Sequence, residues 1–167
     1  MSGNQSLRLR WRVIAGAALA VLLVAFAGGL ATEIGPWYLA LKQPAWKPPD
    51  WLFGPAWMLI YGSTATAAVL AWEAGTDPAV RRTLLLAFGL NGVLNVLWSL
   101  LFFTIKRPDW AFGEVLLLWL SIVLLLRLVH PLSRRAAWLL VPYLAWVTFA
   151  ATLNLAVVRL NAPFGGA

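Results

Sequence analysis

Asn91, Asn95, Trp98 and Phe102 recur at i, i+4, i+7 and i+11 within one long apolar stretch, a spacing that puts them on a single helical face. Trp57, Tyr61 and Thr64 share a face in the stretch before it, as do Trp146, Ala150 and Leu153 in the last one. Rings and amides in such a setting suit binding more than bond-making, since aromatic walls stack on a flat ligand and an amide fixes its orientation. Classical catalysis has little to work with. Asp and Glu number six, none central in an apolar stretch, and no Ser/His/Asp arrangement is visible. With no cysteine, disulfides, thiolate chemistry and Cys-ligated metal sites are excluded. His130, the one histidine, stands beside Pro131 in a short connection and reads as a solvated loop residue, so neither a metal nor a resident cofactor is expected.

These residues need a membrane to hold them. A chain of 167 residues that is 62% hydrophobic and 11% charged, with mean hydropathy +0.79, has more apolar surface than a water-soluble globule of that size can bury. The apolar residues fall into five stretches: 13–32, 54–72, 84–105, 111–129 and 137–158. Each is long enough to cross about 30 Å of hydrocarbon as a helix rising about 1.5 Å per residue. The fold class expected is therefore all-α, a single transmembrane domain over residues 1–167 built as a five-helix bundle. The first stretch, preceded by Arg8, Arg10 and Arg12 and containing Ala25-Phe26-Ala27, also resembles a signal peptide; its spanning length and the four stretches after it favour an uncleaved helix. Residues 33–53, with Pro44, Pro48 and Pro49, cannot form a regular helix and predict a structured loop. The fourth stretch, with its LLLWLSIVLLL core, is apolar all round and predicts a lipid-facing helix that carries little chemistry.

The net charge of +7 comes from Lys and Arg at helix ends and in short loops, the pattern of headgroup contact rather than of nucleic-acid binding. An inside N-terminus puts Arg8, Arg10, Arg12, Arg81, Arg82, Arg127, Arg134 and Arg135 inside, against Lys42, Lys47, Lys106, Arg107 and Arg159 outside. That bias favours the N-terminus inside. In this topology Trp57, Asn95, Trp98 and Trp146 lie at overlapping depths beneath the proline-rich loop, as the wall of a lidded cavity. A plainer reading stands beside it: tryptophans such as Trp11, Trp37, Trp72, Trp110 and Trp138 populate the interfacial belts, and Asn91 and Asn95 bond between helices.

The order of residues carries a resemblance. The segment PWYLALKQPAWKPPDWLFGPAWMLIYG, from Pro36 to Gly62, resembles the signature of the tryptophan-rich sensory protein/translocator protein (TspO/MBR) family; LNVLWSLLFFTIKRP, Leu94 to Pro108, looks like its third helix, and VPYLAWVTFAATLN, Val141 to Asn154, like its fifth. The resemblance implies a five-helix bundle, commonly a homodimer, that binds protoporphyrin IX and related tetrapyrroles under the first loop. Carried over position by position, it implies a pocket of Tyr38, Trp57, Tyr61, Asn95, Trp98, Trp146 and Ala150. Some family members degrade porphyrin in light through two pocket tryptophans, and the matching positions are Trp57 and Trp146. Two departures stand out. The end of the fifth stretch, LNLAVVRLN, lacks the tyrosine of the cholesterol motif of animal members. A proline common in the third-helix block is Leu100 here, which predicts a straighter helix.

Three function classes follow: tetrapyrrole binding for sensing, transport or light-dependent degradation; a small ion-coupled exporter; and a dimerising scaffold. An exporter calls for an acidic residue mid-span, whereas Glu33 and Glu114 lie near stretch ends. A scaffold draws on the small residues Gly16, Ala20, Ala25 and Gly29 but has no use for a lid. The expected partners are a porphyrin, membrane lipid and a second copy, with no nucleic acid. The expected location is a bacterial cytoplasmic membrane, with several passes through it.

Overall fold

The computed structural model describes residues 3–164, with side chains from residue 10 onward, so the Arg8 side chain and both chain tips lie outside it. Among the described residues there are six α-helices and no strand. They are α1 (Gly3–Ala31), α2 (Pro36–Ala40), α3 (Phe53–Ala74), α4 (Pro78–Ser99), α5 (Pro108–Val129) and α6 (Arg134–Asn161). Among the described residues four regions have the length and apolarity to cross a membrane: Arg10–Ala31, Pro78–Thr104, Pro108–Val129 and Arg134–Asn161. Helix α3 is also 22 residues long but is not among the four, because Gly54, Pro55, Gly62, Ser63, Thr64 and Thr66 dilute its apolar character.

Local chemistry sets the helix boundaries. Asp77 caps α4 by accepting from the Ala79 N–H at 2.8 Å, and Pro78 at the first helical position needs no donor there. Helix α4 thus begins six residues before the apolar stretch does, carrying Arg81 and Arg82 in its first turns. Ser133 caps α6 in the same way through the Ala136 N–H.

Packing joins the long helices in a closed ring of order α1, α3, α6, α5, α4. At one end the core is built from small residues, Ala67, Ala71, Ala87, Ala136 and Ala137, interleaved with Leu84, Leu125 and Leu140. Alanines let helix backbones approach closely, so this end closes. At the other end Phe102, Trp98, Trp37 and Tyr38 meet across the ring, and rings of that size hold the helices apart.

Two expectations are corrected here. Helix α5 is not a lipid-facing accessory: Ala111, Glu114, Val115, Leu118, Ser121, Ile122 and Leu125 form a buried stripe at helical spacing against α4 and α6. Its leucines line both faces, so hydropathy alone gives no direction; the small and polar residues mark the packed side. Nor does α4 run on regularly past Leu100. Residues Leu100–Thr104 form a π-helical turn, with the Ile105 N–H donating to the Leu100 carbonyl at 2.8 Å, so the helix end widens without a proline. The chain then reverses at Lys106, φ 59°.

Candidate functional site

The wide end of the ring encloses a cavity of about 350 Å³, within the size range of small-molecule sites. Its aromatic walls come from α3, α4 with the π turn, and α6, while α1 adds Ala25, Gly28 and Gly29 and α5 adds Val115 and Leu118. Trp57 and Tyr61 stack at 5.2 Å on α3, and Trp57 also meets Tyr143 edge-on at 6.2 Å. On α4 and the π turn, Trp98 lies 5.3 Å from Phe102 and 6.0 Å from Phe103. On α6, Trp146 packs edge-on against Phe53 at 5.5 Å, with Ala150 one turn further along the same wall. All seven residues expected at a pocket, Tyr38 included, line this one cavity. Leu153 and Phe102 of the helical faces line it too, whereas Asn91 and Thr64 do not.

The amides do different jobs. Asn95, 5% exposed, accepts from the Tyr61 hydroxyl at 3.1 Å and donates to the Tyr143 hydroxyl at 3.2 Å, tying α3, α4 and α6 together at the cavity wall. Asn91 donates to Ser121 at 2.8 Å, a purely interhelical bond, so the plainer reading holds for that residue. Asn154, one position beyond the recognised stripe, accepts from the Trp98 indole at 3.1 Å and donates to the Pro108 carbonyl at 2.8 Å. Trp98 is thereby fixed in orientation by an amide bonded at both its oxygen and its nitrogen. Thr32 and Ser99 add hydroxyls to the lining, and no Lys or Arg is part of it.

The segment between α1 and α3 contributes Ile34, Tyr38, Gln43 and Asp50 to the lining, and Phe53 at the start of α3 adds a ring beside them. The segment is pinned to the bundle at one point and tied to itself at another. The Lys42 N–H donates to Asn161 Oδ1 at 2.8 Å and the Asn161 amide donates back to the Lys42 carbonyl at 2.9 Å, pinning the segment to the end of α6. Tyr38 donates to Asp50 at 3.0 Å, and Lys47 bridges to the same carboxylate while lying 5.5 Å from the Tyr38 ring centroid. The Lys47 hydrogen bond holds the Asp50 carboxyl below its ordinary range, and burial pushes the Tyr38 hydroxyl up. Gln43 Nε2 is buried without a partner, which leaves a free amide donor among the lining residues.

Gln43, Phe53, Phe103 and Asn154 were not picked out by helical periodicity. The first two lie where no helical period exists, Phe103 is brought round by the π turn, and Asn154 could have been found from the rule that an intramembrane amide needs a partner. Glu114 is also better buried than its place near a stretch end suggests: it is 5% exposed, and neither carboxylate oxygen has a hydrogen-bond partner.

An all-helical, multi-pass membrane protein with an aromatic cavity beneath a pinned segment is the class these features define. The TspO/MBR family pattern matches residues 17–160. The chain is 38% identical over 148 residues to the tryptophan-rich protein TspO of Archaeoglobus fulgidus, covering 86% of this chain and 94% of that one. It is 36% identical over 133 residues to the human translocator protein, covering 78% of each, and 35% identical over 126 residues to the tryptophan-rich sensory protein of Cereibacter sphaeroides, covering 75% and 77%. The chain belongs to the TspO/MBR family.

Proposed function

We propose that this protein binds a protoporphyrin-type tetrapyrrole in the aromatic cavity and acts in the sensing, transport or light-dependent breakdown of such pigments. The observation that carries this reading is the convergence of Trp57, Tyr61, Trp98 and Trp146 on one cavity whose walls bear few polar groups. A flat macrocycle buries its faces against those rings, while polar groups of the lining such as Asn95 supply hydrogen bonds to its periphery. In this reading Tyr38 and Ala150 complete the contact surface. Trp57 and Trp146 take the further role of reacting with the photoexcited ring. The relatives named as translocator and sensory proteins support the two non-destructive roles.

The same reading includes one domain crossing the membrane five times, with α3 as the span that sequence apolarity understates. Its N-terminus lies inside a bacterial cytoplasmic membrane, and the protein pairs as a homodimer. Because the chain has no cysteine, topology is testable with single introduced ones. Glu33→Cys should react with an impermeant maleimide from outside intact cells and Thr76→Cys only after lysis; the opposite pattern inverts the orientation, and labelling of both from outside removes a span.

The light-dependent role is tested by illuminating protein with bound protoporphyrin IX. The wild type should bleach the pigment, whereas the Trp57→Phe/Trp146→Phe double variant, folded by circular dichroism, should bleach it no faster than buffer. Equal bleaching by both excludes these two residues from photochemistry.

A further inference from the structure

A groove of about 530 Å³ runs between the last turns of α5 and the first turns of α6, at the alanine-closed end of the ring and away from the aromatic cavity. On α5 its lining residues Val123, Leu126, Arg127 and His130 fall at i, i+3, i+4 and i+7, one helical face. On α6 Ala137, Trp138, Val141 and Leu144 line the other side. Val123, Leu126, Val141 and Leu144 make the inner part apolar, whereas Arg127, His130 and Trp138 stand toward the mouth. The span from Val123 to His130 gives the groove a length of about 10 Å. Trp138 is 73% exposed, the setting of an indole at headgroup depth, so the groove starts at the membrane surface and runs into the hydrocarbon.

The cations at this mouth have no countercharge. Arg134 stands one turn before Trp138 on the same helical face, so a second arginine joins Arg127 there. Arg127, His130 and Arg134 are all exposed and can be reached from the surface. No Asp or Glu occurs in the chain after Glu114, which lies more than about three turns from Arg127 along α5. Among the described residues the salt bridges are Arg10–Glu73, Lys47–Asp50 and Arg107–Asp109, none of them on this face. The turn between the two helices holds the arrangement in place: the N–H groups of Leu132 and Ser133 both donate to the Val129 carbonyl, at 3.0 and 2.9 Å, and Ser133 caps α6.

We propose that this groove binds an anionic glycerophospholipid of the phosphatidylglycerol type, its phosphate diester held by Arg127, Arg134 and the His130 imidazole and the upper part of one acyl chain laid against Val123, Leu126, Val141 and Leu144. Charge chooses among the occupants. Guanidinium groups take a phosphate in paired hydrogen bonds, whereas a zwitterionic lipid brings its own cation to a place that is already positive. A free phosphate leaves the apolar part unfilled. A second copy docked by this face in two-fold symmetry brings the arginines of both chains together with no carboxylate between them. In the topology proposed above the mouth faces the cytoplasmic leaflet, the side with the negative surface potential. The site does not rest on the tetrapyrrole reading.

The test is native mass spectrometry of the full-length protein released from detergent, titrated with dioleoyl phosphatidylglycerol or with dioleoyl phosphatidylcholine, which has the same chains. Phosphatidylglycerol should bind at least about tenfold more tightly, and glycerophosphoglycerol, the headgroup without chains, should not displace it. Arg127→Gln/Arg134→Gln should weaken phosphatidylglycerol about thirtyfold, the worth of two arginines beside an anionic headgroup. Arg82→Gln/Arg135→Gln removes the same charge at the same end from residues outside the groove and should change affinity less than about threefold. Val141→Trp keeps every charge, fills the groove and should also weaken binding. Melting curves check that the variants are folded, and Arg127→Lys/Arg134→Lys should retain most of the affinity. Photolabelling with a diazirine-bearing phosphatidylglycerol should place adducts on α5 and α6 at the groove. Equal affinity for the two lipids, displacement by glycerophosphoglycerol, or equal loss in the two charge pairs overturns the proposal. So do adducts spread evenly over the lipid-facing helices, or adducts that vanish when the protein dimerises, which would give the groove to a second copy.

Discussion

Asn95 and Asn91 sit one helical turn apart on α4, yet they act differently because of what stands opposite. Replacing Asn95 with Leu strips the buried Tyr143 hydroxyl and the Tyr61 hydroxyl of their partner at a wall of the aromatic cavity. Replacing Asn91 removes one bond to Ser121, whose hydroxyl still donates to the Leu118 carbonyl at 2.7 Å. A buried polar group left unpaired costs about 1–3 kcal/mol, so Asn95→Leu should weaken porphyrin binding roughly tenfold, about 1.4 kcal/mol. Asn91→Leu should leave affinity within about twofold and act on thermal stability alone; equal loss of affinity in both would make the two asparagines packing residues only. Much of this was legible in the sequence, because an amide in hydrocarbon must find a partner and a helical period tells which amides share a face. Which partner each finds depends on α6 and α5, elements remote in sequence. For that reason the bond by which Asn154 orients Trp98 emerged only from the structure, although the same rule marks Asn154 as an amide in need of a partner.

Elements with a period were read more easily than those without one. The long helices follow from apolar length, with ends displaced by caps such as Asp77 and Ser133 that extend a helix beyond its apolar run. Helix α5 was misjudged because leucine satisfies lipid and core alike, and the turn at Leu100–Thr104 because a π-helix has no sequence mark comparable to proline. For the segment over the cavity, proline content excluded a helix, but the contacts that hold it, Tyr38–Asp50–Lys47 and Lys42–Asn161, join residues that no period relates. One consequence is a pH dependence. Because Asp50 has a depressed pKa in the folded protein, its contribution to holding the segment is present above the ordinary carboxylate range and is lost as pH falls through the depressed value. Ligand dissociation should therefore be insensitive to pH between about 5 and 8 and accelerate below about 4. Asp50→Asn should show faster dissociation at neutral pH as well. A wild-type rate that stays flat on acidification, with an unchanged Asp50→Asn rate, would take this cluster out of the closure.

At the scale of the whole molecule, the ring α1, α3, α6, α5, α4 is closed tightly by alanine at one end and held open by aromatic rings at the other. That asymmetry gives a small membrane protein an interior, and under the proposed function selection there would come from shape and ring stacking, with hydrogen bonds only at the edge. The direct measurement of the central claim is a titration of the purified protein in detergent with protoporphyrin IX in the dark, following quenching of tryptophan fluorescence. Saturable quenching in the micromolar range or tighter, weakened at least tenfold in Trp146→Phe, is the result expected of a ligand stacked in the aromatic cavity. Quenching that rises linearly without saturation, or saturates identically in Trp146→Phe and Asn95→Leu, would contradict it.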